Sequence, residues 1–138
     1  MDHVSEFERT DNRVEALTSL LSPRRIAIVG VSAADPQSWG HRVVRVLIDG
    51  GFDGEVCVVH PKTDFPGVTT VRSIAAIENP ELIVICVPAE RAIGVVAESR
   101  AAGAKAVIVF ASEFAEAGAE GGALQEKLVE AAGDMAML

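Results

Sequence analysis

Basic residues are scarce in this chain: 12 Lys and Arg stand against 20 Asp and Glu, for a net charge of −8 over 138 residues. A general nucleic-acid or membrane-surface binder needs a basic footprint, so the balance excludes that class and leaves room only for local phosphate contacts. Cysteine is also scarce. Cys57 and Cys86 are too few for a disulfide framework or a four-cysteine zinc site, and both lie inside apolar runs, so reduced, buried thiols are expected. Long apolar runs are missing: the longest reach about six residues, against roughly 20 for a membrane-spanning helix. The polar N-terminus, Met1 to Arg13, has no signal-peptide core. A soluble, cytoplasmic protein is the expectation. Catalytic signatures are missing as well. No HxxxH or CxxC metal pair, GxSxG elbow or P-loop occurs, and of the three histidines His3 sits in the polar tail.

What is present is a packed-domain composition, 49% hydrophobic and 23% charged, of a length that suits one domain. Four short runs rich in branched aliphatic residues carry no polar alternation: Arg25–Gly30, Val56–Val59, Leu82–Val87 and Ala106–Phe110. Such runs read as parallel strands buried on both faces. Val68–Val71 is a weaker strand, followed by a short helix near Ser73–Ile77, and Met135–Leu138 opens like another strand.

Helical spacing separates the strands. Val14, Leu17, Leu20 and Leu21 form a first stripe, capped by Asp11 or Asn12 and stopped at Ser22-Pro23. Further helices are expected over Gly40–Gly51, Glu90–Ala102 and Ala119–Ala132, with Gly51 and Gly103 as left-handed C-terminal residues and Gly118–Gly122 as a loop. Alternating strands and helices predict a three-layer α/β fold with a Rossmann-like parallel sheet of order 3-2-1-4-5 and a possible sixth strand. Strands one and four are then neighbours at the switch point, and the turns after Gly30 and Val87 face each other across one crevice, flanked by Ala111-Ser112.

The candidate ligand residues cluster at those strand ends. In Gly30-Val-Ser-Ala-Ala-Asp-Pro-Gln-Ser-Trp-Gly40, Gly30 permits a sharp exit from the strand, Ser32 and Ala33 lie in the turn, and Ser38 caps the next helix beside Trp39. Gly40 lets a ligand approach the helix N-terminus, where free N–H groups favour an anion. The second glycine follows ten residues after the first, so this is not GxGxxG; the segment is either a phosphate loop of another kind or an ordinary connection. A dinucleotide site usually has an acid at the tip of the second strand. Here His60-Pro61-Lys62 stands there, and the first acid is Asp64. Lys62 is either a phosphate contact or a solvated lysine. Arg42 either faces a phosphate with His41 or, as the preferred reading, pairs with Asp35. Val87-Pro88-Ala89 offers an apolar shelf for a ring or alkyl chain, or simply stops a strand. Ser112 is a further contact candidate, and Glu113, Glu116 and Glu120 read as a solvated face.

At these residues the chain resembles the CoA-binding domain of NDP-forming acyl-CoA synthetases, the group of ADP-forming acetate–CoA ligases and the succinyl-CoA synthetase α subunit. The matching segments are Ser22-Pro-Arg-Arg-Ile-Ala-Ile-Val-Gly-Val-Ser32, Trp39-Gly40, Gly51-Phe-Asp-Gly54, Pro61-Lys62, Val87-Pro88-Ala89 and Phe114-Ala-Glu-Ala-Gly118. The resemblance covers residues 22–138 and leaves 1–21 as an N-terminal tail and helix. It implies coenzyme A as ligand, with the Ser32–Gly40 loop and Lys62 toward its phosphates, and the phosphohistidine and ATP-grasp domains of a synthetase as partners. Those parts are absent from this sequence, so a domain cut from a longer chain is expected, inactive alone; a natural edge strand at Met135–Leu138 is the other reading. His60 stands where the family usually has asparagine, and Glu113 where it often has glycine, which puts Ser112 in doubt. Two other functions compete: an NAD(P)-binding oxidoreductase domain, disfavoured by the missing GxGxxG and acid, and a non-catalytic CoA- or nucleotide-sensing module.

Overall fold

Branched aliphatic side chains pack well on a pleated surface, and runs without polar alternation must be covered on both sides. The computed structural model, which describes residues 6–110 and 119–138, shows that outcome. Strands β1 (Arg25–Val29), β2 (Glu55–Val59), β3 (Thr69–Val71), β4 (Leu82–Ile85), β5 (Ala106–Val109) and β6 (Ala136–Met137) form one sheet of order β3-β2-β1-β4-β5-β6. Every pairing is parallel; Ile28 of β1 is in register with Val58 on one side and Val84 on the other. The sixth strand is the one expected from Met135–Leu138.

Helices α1 (Glu6–Leu21), α2 (Trp39–Asp49), α3 (Ala89–Ala101) and α4 (Ala119–Ala132) cover the two faces. On one face Ile26, Ile28, Val58, Leu82 and Val84 pack with Val44 of α2 and Leu20 of α1. On the other, Ala27, Val59, Ile83, Ile85 and Val107 meet Ala92 and Val96 of α3 and Leu128 and Ala132 of α4. Ile28, Ile83, Ile85 and Val44 are completely buried, and each such side chain contributes about 1.5–3 kcal/mol relative to exposure. Gly51 and Gly103 have the positive φ expected of them, +75° and +87°. Among the described residues no helix is long and apolar enough to cross a membrane.

Several local expectations are corrected. Helix α1 is already helical at Glu6, the first described residue, so Asp11 and Asn12 lie within it rather than at its cap. Its large apolar residues Val14, Leu17 and Leu21 face solvent, while the small Ala16 and Ser19 are buried, so α1 approaches β5 and β6 closely through its narrow side. The expected Gly118–Gly122 loop is helical from Ala119 onward; Gly118 lies outside the described residues. The short helix expected near Ser73–Ile77 is present as a 3-10 turn, Ile74–Ala76, between β3 and β4. Cys57 and Cys86 are free but half-buried rather than fully buried.

Candidate functional site

The crossovers on either side of β1 leave from opposite edges, which opens a crevice beyond the carboxyl ends of β1 and β4. A cavity of about 720 Å³ lies there, lined by Gly30, Ser38, Trp39, Cys86, Val87, Pro88, Ala89, Glu90, Val109 and Phe110. Five predicted residues, Gly30, Trp39, Val87, Pro88 and Ala89, are thus brought together around one cavity. A second cavity, of about 500 Å³, opens at the opposite, amino-terminal strand ends among Arg25, Glu55, Glu78 and Glu81. Its three carboxylates disfavour an anionic ligand, and ligands of open α/β sheets bind at the other end.

Two glycines make the crevice. Gly30 turns out of β1 with φ +89°, and a Cβ there would lie 2.2 Å from the Cys86 carbonyl oxygen. The exit of β1 is therefore pressed against the tip of β4, held by the Cys86 N–H donating to the Val29 carbonyl at 2.8 Å. Gly40 is buried, and a Cβ on it would meet the Gly30 carbonyl oxygen at 2.6 Å. The missing side chain of Gly40 admits the backbone at Gly30–Val31 to the start of α2.

The segment between them is braced from within. Ser38 Oγ accepts the His41 N–H at 3.3 Å and caps α2. Asp35 Oδ1 accepts the Gln37 N–H at 3.0 Å and its carbonyl accepts the Ser38 N–H at 3.1 Å. The His41 ring donates from Nδ1 to the Ser32 carbonyl at 3.0 Å and packs against the buried Phe65. Arg42 does not pair with Asp35. Its guanidinium donates to Gln37 Oε1 and lies 5.8 Å from the Trp39 ring centre, while Asp35 Oδ1 accepts the Gln37 amide. Ser32 and Ala33 are half-buried on this loop and do not line the cavity, although Ala33 packs against the core beneath it.

Lys62 stands apart, exposed on the loop after β2 and off the cavity lining. That loop is tied to β3: Arg72 donates to the carbonyls of His60 and Thr63 and pairs with Asp64. Ser112 lies outside the described residues, as do Ala111, Glu113 and Glu116.

Sequence reasoning missed Phe110. It is partly exposed at the tip of β5, and its ring is stacked on Trp39 with centroids 6.1 Å apart and planes 4° from parallel. The pair spans from α2 to β5 across the crevice. A phenylalanine ending a run of strand residues looks like one more core side chain, so no local signal marks it. Cys86 is on the cavity wall, but burial pushes its thiol up to about 11. It is protonated at neutral pH and is no nucleophile there. Glu90, in the first turn of α3, adds negative charge to the Pro88 side. Among the described residues no cluster of three or more His, Cys, Asp or Glu has metal-site geometry. The arrangement is a cradle: backbone amides and a capped helix on one side, an apolar shelf on the other.

Known proteins share this architecture. The family model described as a CoA binding domain matches residues 24–137. The α subunit of the ADP-forming acetate–CoA ligase I of Pyrococcus furiosus is 30% identical over 123 residues, 85% of this chain and 26% of that protein. A solved dinucleotide-forming acetyl-coenzyme A synthetase 1 of Ca. Korarchaeum cryptofilum, in complex with phosphate and ADP, superposes with a TM-score of 0.82 at 32% identity. The match covers 90% of this chain and 27% of that one. A hypothetical protein of Pyrococcus furiosus matches with a TM-score of 0.63 at 27% identity, over 83% of this chain and 92% of its own. The chain spans about a quarter or less of the length of the synthetases it matches. By sequence and by fold, the chain belongs to the CoA-binding domain family found in ADP-forming acyl-CoA synthetases.

Proposed function

We propose that this chain holds coenzyme A as a substrate, in the crevice at the carboxyl ends of β1 and β4, for thioester formation in an acyl-CoA synthetase. The observation that carries the reading is the cavity itself, in which Gly30, Trp39, Val87, Pro88 and Ala89 converge at the switch point. Charge orients the ligand within it. Glu90 repels phosphate from the α3 side, whereas the N-terminus of α2 and Lys62 attract it on the other. The phosphates therefore lie toward Ser32, Ala33, Gly40 and Lys62. The neutral pantetheine arm lies along Val87-Pro88-Ala89 and the Trp39–Phe110 pair. Ser112 belongs to the same proposed contact set.

In the complete enzyme the CoA thiol attacks an acyl phosphate, and residues 22–138 supply the cradle for that attack. The remaining synthetase parts, with a phosphohistidine and an ATP-grasp unit, are the proposed partners, and the cytoplasm is the proposed compartment. The much greater length of the matching ligases supports this reading. A second reading, a stand-alone CoA-sensing module, is favoured by the hypothetical Pyrococcus protein, whose own length this chain nearly spans.

Both readings require CoA, and neither requires NAD. The loop from Gly30 to Gly40 is too long for a tight pyrophosphate turn, and the tip of β2 has Lys62 where a ribose-binding acid is needed. Parallel calorimetric titrations with CoA, dephospho-CoA, acetyl-CoA, NAD and NADP are expected to rank CoA above NAD. Tighter binding of NAD would replace the proposal with a nicotinamide-binding domain.

A further inference from the structure

The loop that presents Lys62 is closed by an imidazole. His60 Nδ1 accepts the backbone N–H of Lys62 at 3.1 Å and that of Thr63 at 3.0 Å, and Thr63 Oγ1 is 3.2 Å away. Two amide hydrogens aimed at one ring nitrogen require a lone pair there, so the ring carries its hydrogen on Nε2. We propose that His60 is a pH-dependent positioning residue for Lys62: the unprotonated Nδ1 closes the turn that aims the ammonium at a CoA phosphate, and ring protonation releases it. The ligand half of this proposal rests on the CoA reading above.

Protonation places a third N–H against the two amides, and both lose their acceptor. The rest of the loop stays tied. The His60 N–H still donates to the Val71 carbonyl at 2.9 Å, and Arg72 still donates to the carbonyls of His60, at 3.3 Å, and Thr63, at 3.1 Å. The change is therefore confined to Lys62 and Thr63, the part of the loop that carries the charge. The surrounding charged groups offer an imidazolium no partner. Lys62 on the same turn and Arg72 from the end of β3 are cations, and the Asp64 carboxylate is bonded to Arg72. From α2 the titratable group that reaches this loop is His41, which is committed to the Ser32 carbonyl and packs on Phe65. The ends of β1 and β4 nearby, Val29-Gly30 and Ile85-Cys86, add only the protonated Cys86 thiol.

Two substitutions separate the acceptor from the charge. In His60→Asn a side-chain oxygen accepts the same amides and does not titrate; in His60→Ala the acceptor is gone. CoA affinity is measured by calorimetry for the three chains at about pH 8 and about pH 5.5. Nitrogen-15 NMR follows the Lys62 and Thr63 amides of the ligand-free chains over the same span. His60→Ala is expected to weaken CoA binding about three- to tenfold at the higher pH, and His60→Asn to match the wild type. At the lower pH the wild type is expected to fall behind His60→Asn by a similar factor. Changes in the phosphates of CoA itself and in His41 are common to both chains and cancel. The two amides should move with the titration in the wild type and stay still in His60→Asn. A wild-type to His60→Asn ratio that is constant with pH, a wild type that tightens on acidification, or amides that ignore the titration would overturn the proposal. Amides that titrate as expected in a chain that binds no CoA would overturn the CoA reading and leave the turn device standing.

Discussion

Gly30→Val is expected to lower the unfolding free energy by about 3–5 kcal/mol and to abolish CoA binding at ligand concentrations that saturate the wild type. Two costs add at this residue. A β-branched side chain at φ +89° is strained in its own backbone. Its Cβ also falls 2.2 Å from the Cys86 carbonyl oxygen and 2.6 Å from the carbonyl carbon, both main-chain atoms of the residue that follows β4, a strand buried on both faces. Relief requires parting the tips of β1 and β4, which breaks the 2.8 Å bond between Cys86 and Val29 and opens the floor of the crevice. In a domain of ordinary stability this is a fall in Tm of roughly 10–20 °C. Gly94→Ala is the matched control: nothing lies within 4 Å of a Cβ there, it sits inside α3, and the change should stabilise by about 0.5–1 kcal/mol. Thermal and denaturant unfolding of both variants measure the contrast. A Gly30→Val chain within about 1 kcal/mol of the wild type would contradict the tight β1–β4 junction.

Lys62→Ala is expected to cost about 1.5–3 kcal/mol of CoA binding, roughly ten- to hundredfold in Kd, if the ammonium meets a phosphate in a shielded contact. Folding should hardly change, because the lysine is exposed and its backbone is held by His60 and its loop by Arg72. The pairing of the two measurements gives the test its force: affinity by calorimetry and Tm of the ligand-free chain. Unchanged affinity would make Lys62 a solvated lysine and move the phosphate site to the α2 N-terminus alone.

The sheet was legible because its signal is local and redundant. Continuous branched runs, each bounded by glycine or proline, state both the strands and their double burial, and parallel order then follows from the helices between them. Gly30 was legible for the same reason, as a glycine ending a strand. What escaped depends on distant partners. Val14, Leu17 and Leu21 have helical spacing, yet the sheet selected the small residues Ala16 and Ser19, because close approach at β5 and β6 outweighs side-chain size there. Arg42 has Asp35 within reach along the chain, but Gln37 and the Trp39 ring are its partners, and the Asp35 carboxylate turns back onto the Gln37 amide. Phe110 enters the site only because β5 lies beside β4 and ends opposite α2. Conversely, strand-end logic groups Ser32, Ala33 and Lys62 with the crevice, and the structure sets them on loops beside the cavity rather than on its wall.

Trp39 is the only tryptophan in the chain, it is 63% exposed, and its ring forms one wall of the crevice. Its emission is therefore a direct probe of whether CoA enters that cavity, with the stacked Phe110 and the Arg42 guanidinium fixing the unliganded signal. A titration of CoA followed on Trp39 emission is predicted to show a saturable change, with a midpoint equal to the calorimetric Kd and displaced to higher concentration in Lys62→Ala. Calorimetric binding of CoA that leaves the Trp39 emission unchanged would place the ligand elsewhere and contradict the assignment of this crevice.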